Sequence, residues 1–231
     1  MKTIGLIGGM SWKSTLEYYR IINEKVKEKL GGLHSAKCLL YSVDFAEIEE
    51  LQHQGKWPEA TQTMIDAARR VENGGADFLL ICTNTMHKMA DEVAVNSSIP
   101  LLHIADATAA AIKSERMKKI GLLGTKFTME QDFYQGRLIN KHGLQVLIPS
   151  SADREIVHKV IYNELCLGKT IKQSRTEYTR IMQEMVDEGA EGIILGCTEI
   201  GLLVKNENSP VPLFDTTVIH ARAAVDFALS E

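Results

Sequence analysis

Short apolar runs alternate with stretches of helical periodicity along the whole chain. Residues 3–7 read as a strand turned by Gly8-Gly9. Ser11 or Ser14 then caps a helix through Trp12, Leu16, Tyr19, Ile22, Val26 and Leu30, and Gly31-Gly32 ends it. The pattern next predicts a strand over 37–43, a helix over 44–54 and another over about 58–73. Residues 75–85 (Gly-Ala-Asp-Phe-Leu-Leu-Ile-Cys-Thr-Asn-Thr) follow. Their apolar centre is short and bounded by Gly and polar residues, which suits a strand buried on both faces. A helix over 85–95, a short strand over 99–104 and a helix over 105–114 complete this half.

The second half restarts the pattern. Residues 118–124 (Lys-Lys-Ile-Gly-Leu-Leu-Gly) resemble 2–8 (Lys-Thr-Ile-Gly-Leu-Ile-Gly) at an offset of 116. Residues 189–199 (Gly-Ala-Glu-Gly-Ile-Ile-Leu-Gly-Cys-Thr-Glu) repeat 75–85 without a gap at an offset of 114. Between them, Thr125 or Thr128 opens a helix over 129–142, a strand covers 145–149, and helices cover 153–167 and 172–188. A helix over 199–204, a strand over 212–215 and a closing helix over 217–229 finish the chain. Alternating strands and helices predict an α/β protein with parallel sheets. The repeat predicts two similar lobes, each a parallel sheet flanked by helices. Residues 1–105 plus 217–231 form the first, and 106–216 the second.

Composition narrows the function. The 231 residues are 45% hydrophobic and 24% charged, ordinary for a globular protein able to bury a core. A net charge of −4 offers no basic footprint for nucleic acid. No apolar run reaches the length of a membrane span. The first nine residues are too Gly-rich for a secretory signal. Cys38, Cys82, Cys166 and Cys197 show neither Cys-x-x-Cys nor zinc-site spacing, so a reduced, cytoplasmic protein without metal is expected. Gly5-Leu6-Ile7-Gly8-Gly9 lacks the Gly-x-Gly-x-x-Gly spacing of a dinucleotide site. It reads instead as a tight turn whose N–H groups approach a ligand carboxylate.

The chemistry gathers at strand ends. Cys197 lies at the carboxyl end of a strand before a helix start, where α/β sheets place ligands and where helix N–H groups favour thiolate. The alternative is a buried core cysteine. The gapless register sets Thr83, not Cys82, opposite Cys197, and alternation turns Cys82 to the other sheet face. Cys82, Cys38 and Cys166 therefore read as structural. Asn84, Thr85 and Thr198 offer neutral hydrogen bonds to an amino acid's carboxylate, or else cap helices. Met10, Gln52 and Thr125 sit on or after loops expected to line a cleft. His87 reads as a packing or surface histidine, and Glu199 as either orienting Cys197 or capping a helix.

Gly5-Leu6-Ile7-Gly8-Gly9-Met10-Ser11-Trp12, Asn84-Thr85-Met86-His87 and Gly196-Cys197-Thr198-Glu199 together resemble the aspartate/glutamate racemases over essentially the whole chain. The resemblance implies two pseudo-symmetric lobes with an active site in the cleft between them. It implies a homodimer acting on a small amino acid, with no cofactor, metal, nucleic acid or membrane partner. Proton abstraction and return at the α-carbon would use Cys197 and Thr83, with Asn84, Thr85, Thr125 and Thr198 holding the substrate carboxylate. The family's usual Cys-Asn-Thr is Thr83-Asn84-Thr85 here. By that resemblance Cys197 serves the L-enantiomer of aspartate or glutamate. The basic residues that read the side-chain carboxylate in some aspartate racemases have no counterpart at Glu47-Ile48 or Asn163-Glu164, leaving Lys126, Lys169 and Gln52 as candidates. The alternatives are a broad-specificity amino-acid racemase, another carbon-acid enzyme of the maleate-isomerase kind, or a non-catalytic amino-acid-binding protein.

Overall fold

A computed structural model describes residues 1–230. The chain divides into two compact units, Met1–Ile104 with His220–Glu231, and Ala105–Ile219. The two crossings fall inside or beside helices, because a helix rather than a loop carries the chain from one unit to the other each time.

The first unit is a parallel sheet in the order β2-β1-β3: β1 (Ile4–Gly8), β2 (Cys38–Ser42) and β3 (Phe78–Ile81). Helix α1 (Trp12–Leu30) follows β1, capped by Ser11, whose side chain accepts from Ser14 N. Helices α2 (Phe45–His53) and α3 (Trp57–Asn73) connect β2 to β3, and Asp44 caps α2. Ile7, Ile48, Met64, Val71, Leu79 and Ile81 belong to one buried cluster. Burying each such side chain contributes about 1.5–3 kcal/mol.

The expected strand over 99–104 is reduced to a single parallel bridge, Leu79 to Leu101. Pro100 cannot donate to a ladder, and only its carbonyl is used, accepting from Leu79 N. The expected helix over 85–95 splits into a 3₁₀ turn, Thr85–Met89, and α4 (Ala90–Val95). Helix α5 (Ile104–Ser114) carries the chain out of the unit.

The predicted apolar stripe of α1 is corrected. Ile22 and Val26 are buried, but Trp12, Leu16, Tyr19 and Leu30 are exposed. Ser14, Thr15, Tyr18 and Ile21 share the buried face with Ile22 and Val26 instead, and Thr15 packs against Gly8, where a Cβ would collide with it.

The second unit has the order β5-β4-β6-β7, all parallel: β4 (Lys119–Gly124), β5 (Gln145–Leu147), β6 (Gly192–Gly196) and β7 (Leu213–Asp215). The expected helix over 129–142 is three pieces: α6 (Lys126–Glu130), α7 (Asp132–Gly136) and a π-helical turn, Arg137–Lys141. Thr125 is the cap, its hydroxyl accepting from Thr128 N. Helix α8 (Ser151–Val160) likewise passes into a π turn, Ile161–Leu165. Helix α9 (Lys172–Asp187) precedes β6, and α10 (Ile200–Leu203) follows it. Helix α11 (Thr216–Leu229) closes the chain.

Both crossing helices are pinned where they arrive. In the second unit, Asp106 of α5 accepts from Arg137 Nε and Nη2 at 2.7 and 2.8 Å, from Lys141 at 2.8 Å, and pairs with His142 at 2.7 Å. Burial would raise the Asp106 pKa. Hydrogen bonds from Arg137, His142 and Lys141 overcome that and hold its carboxyl well below the usual range. In the first unit, His220 of α11 bonds Tyr18 OH at 2.9 Å and Leu102 O at 2.8 Å, and Phe227 packs edge-on against Phe78 at 4.7 Å.

Candidate active site

The ladders fix which positions correspond. Ile4 lies opposite Phe78 in one unit and Ile120 opposite Gly192 in the other. Gly124 lies opposite Gly196, and Cys82 N donates to Ile7 O at the same level of the first sheet. Counted from these pairs, Thr83 and Cys197 hold corresponding positions, Thr83 two residues beyond β3 and Cys197 one beyond β6. Each stands at the carboxyl end of the strand neighbouring the first strand of its unit, where parallel sheets present their ligand sites.

In the first unit the strand ends bring forward Met10, Thr83, Asn84 and Thr85, while Gln52 comes from α2. Met10, Asn84 and Thr85 are buried and Thr83 is half-buried. Gln52 is buried and its Nε2 donates to Met86 Sδ at 3.0 Å, tying α2 to the turn after β3. Cys82 is fully buried, and burial pushes its thiol strongly up. Cys38, half-buried, is pushed up to about 11 by burial, and Cys166 to about 12, first by burial and then by the Glu199 carboxylate.

The expectation that the Gly8-Gly9 turn offers its amides to a ligand is corrected at Gly9. Its N–H already donates to Thr15 Oγ1 at 2.9 Å. Its φ of +100° and its close approach to the Val43 backbone are what require glycine there.

In the second unit Thr125 follows β4 and Cys197, Thr198 and Glu199 follow β6. Cys197 Sγ donates to Glu199 Oε2 at 3.2 Å, and Thr198 Oγ1 donates to the same oxygen at 2.7 Å. Of the two readings for Glu199, this geometry selects the first: the carboxylate turns to the thiol and makes no side-chain cap to α10. The expected thiolate-favouring effect of the helix-start N–H is outweighed: burial dominates, and the hydrogen bond from the Glu199 backbone N–H only partly opposes it. Burial first, and the Glu199 and Cys166 charges next, push the Cys197 thiol well above its ordinary value. Helix α10 spans only four residues, so its dipole is slight against those effects.

Lys126 pairs with Glu155, and Lys169 is exposed. Among the described residues no cluster of His, Cys, Asp or Glu is placed to hold a metal ion, and no helix is long and apolar enough to cross a membrane.

Sequence reasoning missed the buried polar framework beneath the first unit's loops. Tyr18, His87, His103 and His220 are all buried. One signal was present: His220 shares a helical face with the buried Ala224 and Ala228, at four-residue spacing. His87 is 2% exposed and bonded through both ring nitrogens, not a surface residue.

The model of the family described as Asp/Glu/Hydantoin racemase matches residues 7–224. A proposed Asp/Glu racemase from Yersinia pestis is 56% identical, with a TM-score of 0.94 and full coverage of both chains. An aspartate racemase homologue from Pyrococcus horikoshii OT3 is 35% identical, with a TM-score of 0.86 and full coverage of both chains. The broad specificity amino-acid racemase RacX of Bacillus subtilis (strain 168) is 25% identical over 98% of each chain.

Proposed function

Because the chain belongs to the Asp/Glu/Hydantoin racemase family, whose named relatives are isomerases, we propose that it racemises aspartate or glutamate without a cofactor and prefers the L-enantiomer. The observation that carries this reading is the Cys197–Glu199 pair at 3.2 Å, set against a threonine at the register-equivalent position 83.

Cys197 is the base. Its thiol first yields its proton to the Glu199 carboxylate, with which it shares a hydrogen bond. The resulting thiolate is strongly basic, because the burial that raises the thiol's pKa also raises the thiolate's affinity for a proton. It takes the α-proton from the face it sees. The carbanion's carboxylate is held by hydrogen bonds from Asn84, Thr85, Thr125 and Thr198, which offset the developing charge without a cofactor sink. Thr83 relays a proton from water to the opposite face of the carbanion, giving the other enantiomer, and the hydroxide left behind takes the proton from Glu199, restoring the thiol and the carboxylate. Enantiomers have equal free energy, so inversion has the same kcat/KM in both directions; the very weakly acidic threonine hydroxyl makes it slow both ways, while Cys197 exchanges the α-proton of the L-form rapidly with retention. Met10 and Gln52 complete the substrate contacts, and the assembly is a homodimer.

The test is proton NMR of α-hydrogen washout in D₂O for L-aspartate, L-glutamate and several neutral amino acids. Loss of the α-signal from the acidic substrates, removed by Cys197→Ser, supports the reading; no washout from either acid overturns it. A broader substrate range is the second reading. The observation favouring it is that Lys126, a candidate for the side-chain carboxylate, is already paired with Glu155.

A further inference from the structure

We propose that His87 is a positioning residue that aims Thr83. This rests on the reading that Thr83 serves the substrate. His87 bonds two carbonyls of the loop that presents Thr83. Its backbone N–H donates to Asn84 O at 3.0 Å, and its ring Nδ1 lies 2.7 Å from Thr83 O. Its other ring nitrogen, Nε2, accepts from Ile104 N at 3.1 Å. Ile104 is the last residue of the first unit before the crossing and the first residue of α5.

The partners fix the tautomer. A carbonyl oxygen only accepts, so Nδ1 carries the proton; a backbone amide only donates, so Nε2 is bare. The ring is thus a two-ended clamp between the Thr83 loop and the start of α5. It supplies an acceptor to one of the N–H groups that a helix N-terminus leaves without an intrahelical partner. Packing holds the ring in place, with His103 edge-on at 4.5 Å and His220 at 5.8 Å.

The internal repeat shows that this is no general requirement of the fold. The offset that pairs Thr83 with Cys197 pairs His87 with Gly201. Glycine there carries no ring to bond the loop, and a Cβ on Gly201 would meet Asp215 Oδ2, displacing that side chain. The helix starting at Thr216 is instead capped by Asp215, which accepts from Thr217 N at 2.9 Å. The clamp therefore accompanies the threonine and not the cysteine. The chemistry explains the difference. A strongly basic thiolate tolerates some slack, whereas a hydroxyl that only relays a proton depends on being aimed.

Two near-isosteric substitutions separate the two ends of the clamp. His87→Asn supplies a side-chain amide N–H that can replace Nδ1 toward Thr83 O, but the shorter side chain cannot reach Ile104. His87→Gln can place an amide oxygen near the position of Nε2, accepting from Ile104 N while losing the Thr83 bond. The readout is the ratio of L-to-D inversion to α-proton exchange with retention in D₂O. A merely structural role would lower both rates together and leave that ratio unmoved. His87→Asn should keep the ratio within about threefold of the parent, and His87→Gln should lower it at least about tenfold. A folded His87→Gln protein with the parent ratio overturns the proposal. Nitrogen-15 NMR of the ring at pH 7 gives an activity-independent arm. A protonated Nδ1 and bare Nε2 are expected, and the opposite tautomer overturns the clamp. If the parent protein neither exchanges nor inverts, the proposed function fails, and the ring tautomer alone decides the clamp.

Discussion

The Cys197 thiol donates to Glu199 Oε2 at 3.2 Å, across a single intervening residue whose own hydroxyl shares that oxygen. Burial holds the thiol protonated, and the carboxylate charge adds to that effect. Removing the charge should release part of that effect. Glu199→Gln is expected to shift the pH dependence of Cys197 alkylation to lower pH, while turnover falls because the thiol loses its proton acceptor. An alkylation profile that stays in place, or moves to higher pH, would show that Glu199 does not govern the thiol.

The two strand-end cysteines should separate cleanly. Cys197→Ser should lower turnover by about 10²–10⁴-fold, since a serine hydroxyl is a poor base near neutral pH. Cys82 is fully buried. Cys82→Ala should therefore cost about 1 kcal/mol or more in stability through lost packing, with turnover largely retained. Steady-state kinetics beside urea unfolding decide it: a folded, inactive Cys82 variant would move the chemistry one residue upstream.

Acid should weaken the first unit through His220. Burial lowers its pKa from 6.5 to about 4, and its hydrogen bond to Leu102 O only partly opposes this. The unfolded chain therefore binds a proton that the folded chain refuses. The stabilising contribution is complete above about pH 6.5 and is lost as pH falls toward about 4, a difference of about 3 kcal/mol. Chemical denaturation at a series of pH values should show that slope, and His220→Gln should flatten it. An unchanged slope in the variant would assign the acid sensitivity elsewhere.

The arrival of α5 in the second unit depends on Asp106. Asp106→Asn removes the carboxylate that Arg137, Lys141 and His142 share, and the Arg137 and Asp106 side chains are only 23% and 27% exposed. A loss of about 1–3 kcal/mol is expected, read as a lower unfolding midpoint. An unshifted midpoint would show that the cluster adds nothing to stability.

Hydrophobic period and the internal repeat made the sheets legible. β1, β3, β4 and β6 lie where short apolar runs meet glycine, and the gapless repeat carried over to the ladder register that matches Thr83 with Cys197. Helix interiors were harder to read. The π turns at 137–141 and 161–165 and the 3₁₀ turn at 85–89 continue an apolar period that looks the same on paper as unbroken helix. The face of α1 was misjudged because close packing on Gly8 selects Thr15 over the larger Trp12 and Leu16. At the site, residue types and strand-end placement were legible. The direction of the Cys197 shift was not, because it depends on burial and on where the Glu199 carboxylate points. The contacts of His87, His220 and Asp106 are long-range pairs with no local signal.

The central claim is that abstraction begins only on the face served by Cys197. Exchange of the α-proton in D₂O, followed separately for the L- and D-enantiomers of aspartate and glutamate, tests it most directly. The account predicts rapid loss of the α-proton from the L-form and little from the D-form, with Thr83→Cys opening exchange of the D-form. Equal exchange from both enantiomers in the unmodified protein, or a well-folded Thr83→Cys variant still blind to the D-form, would contradict it.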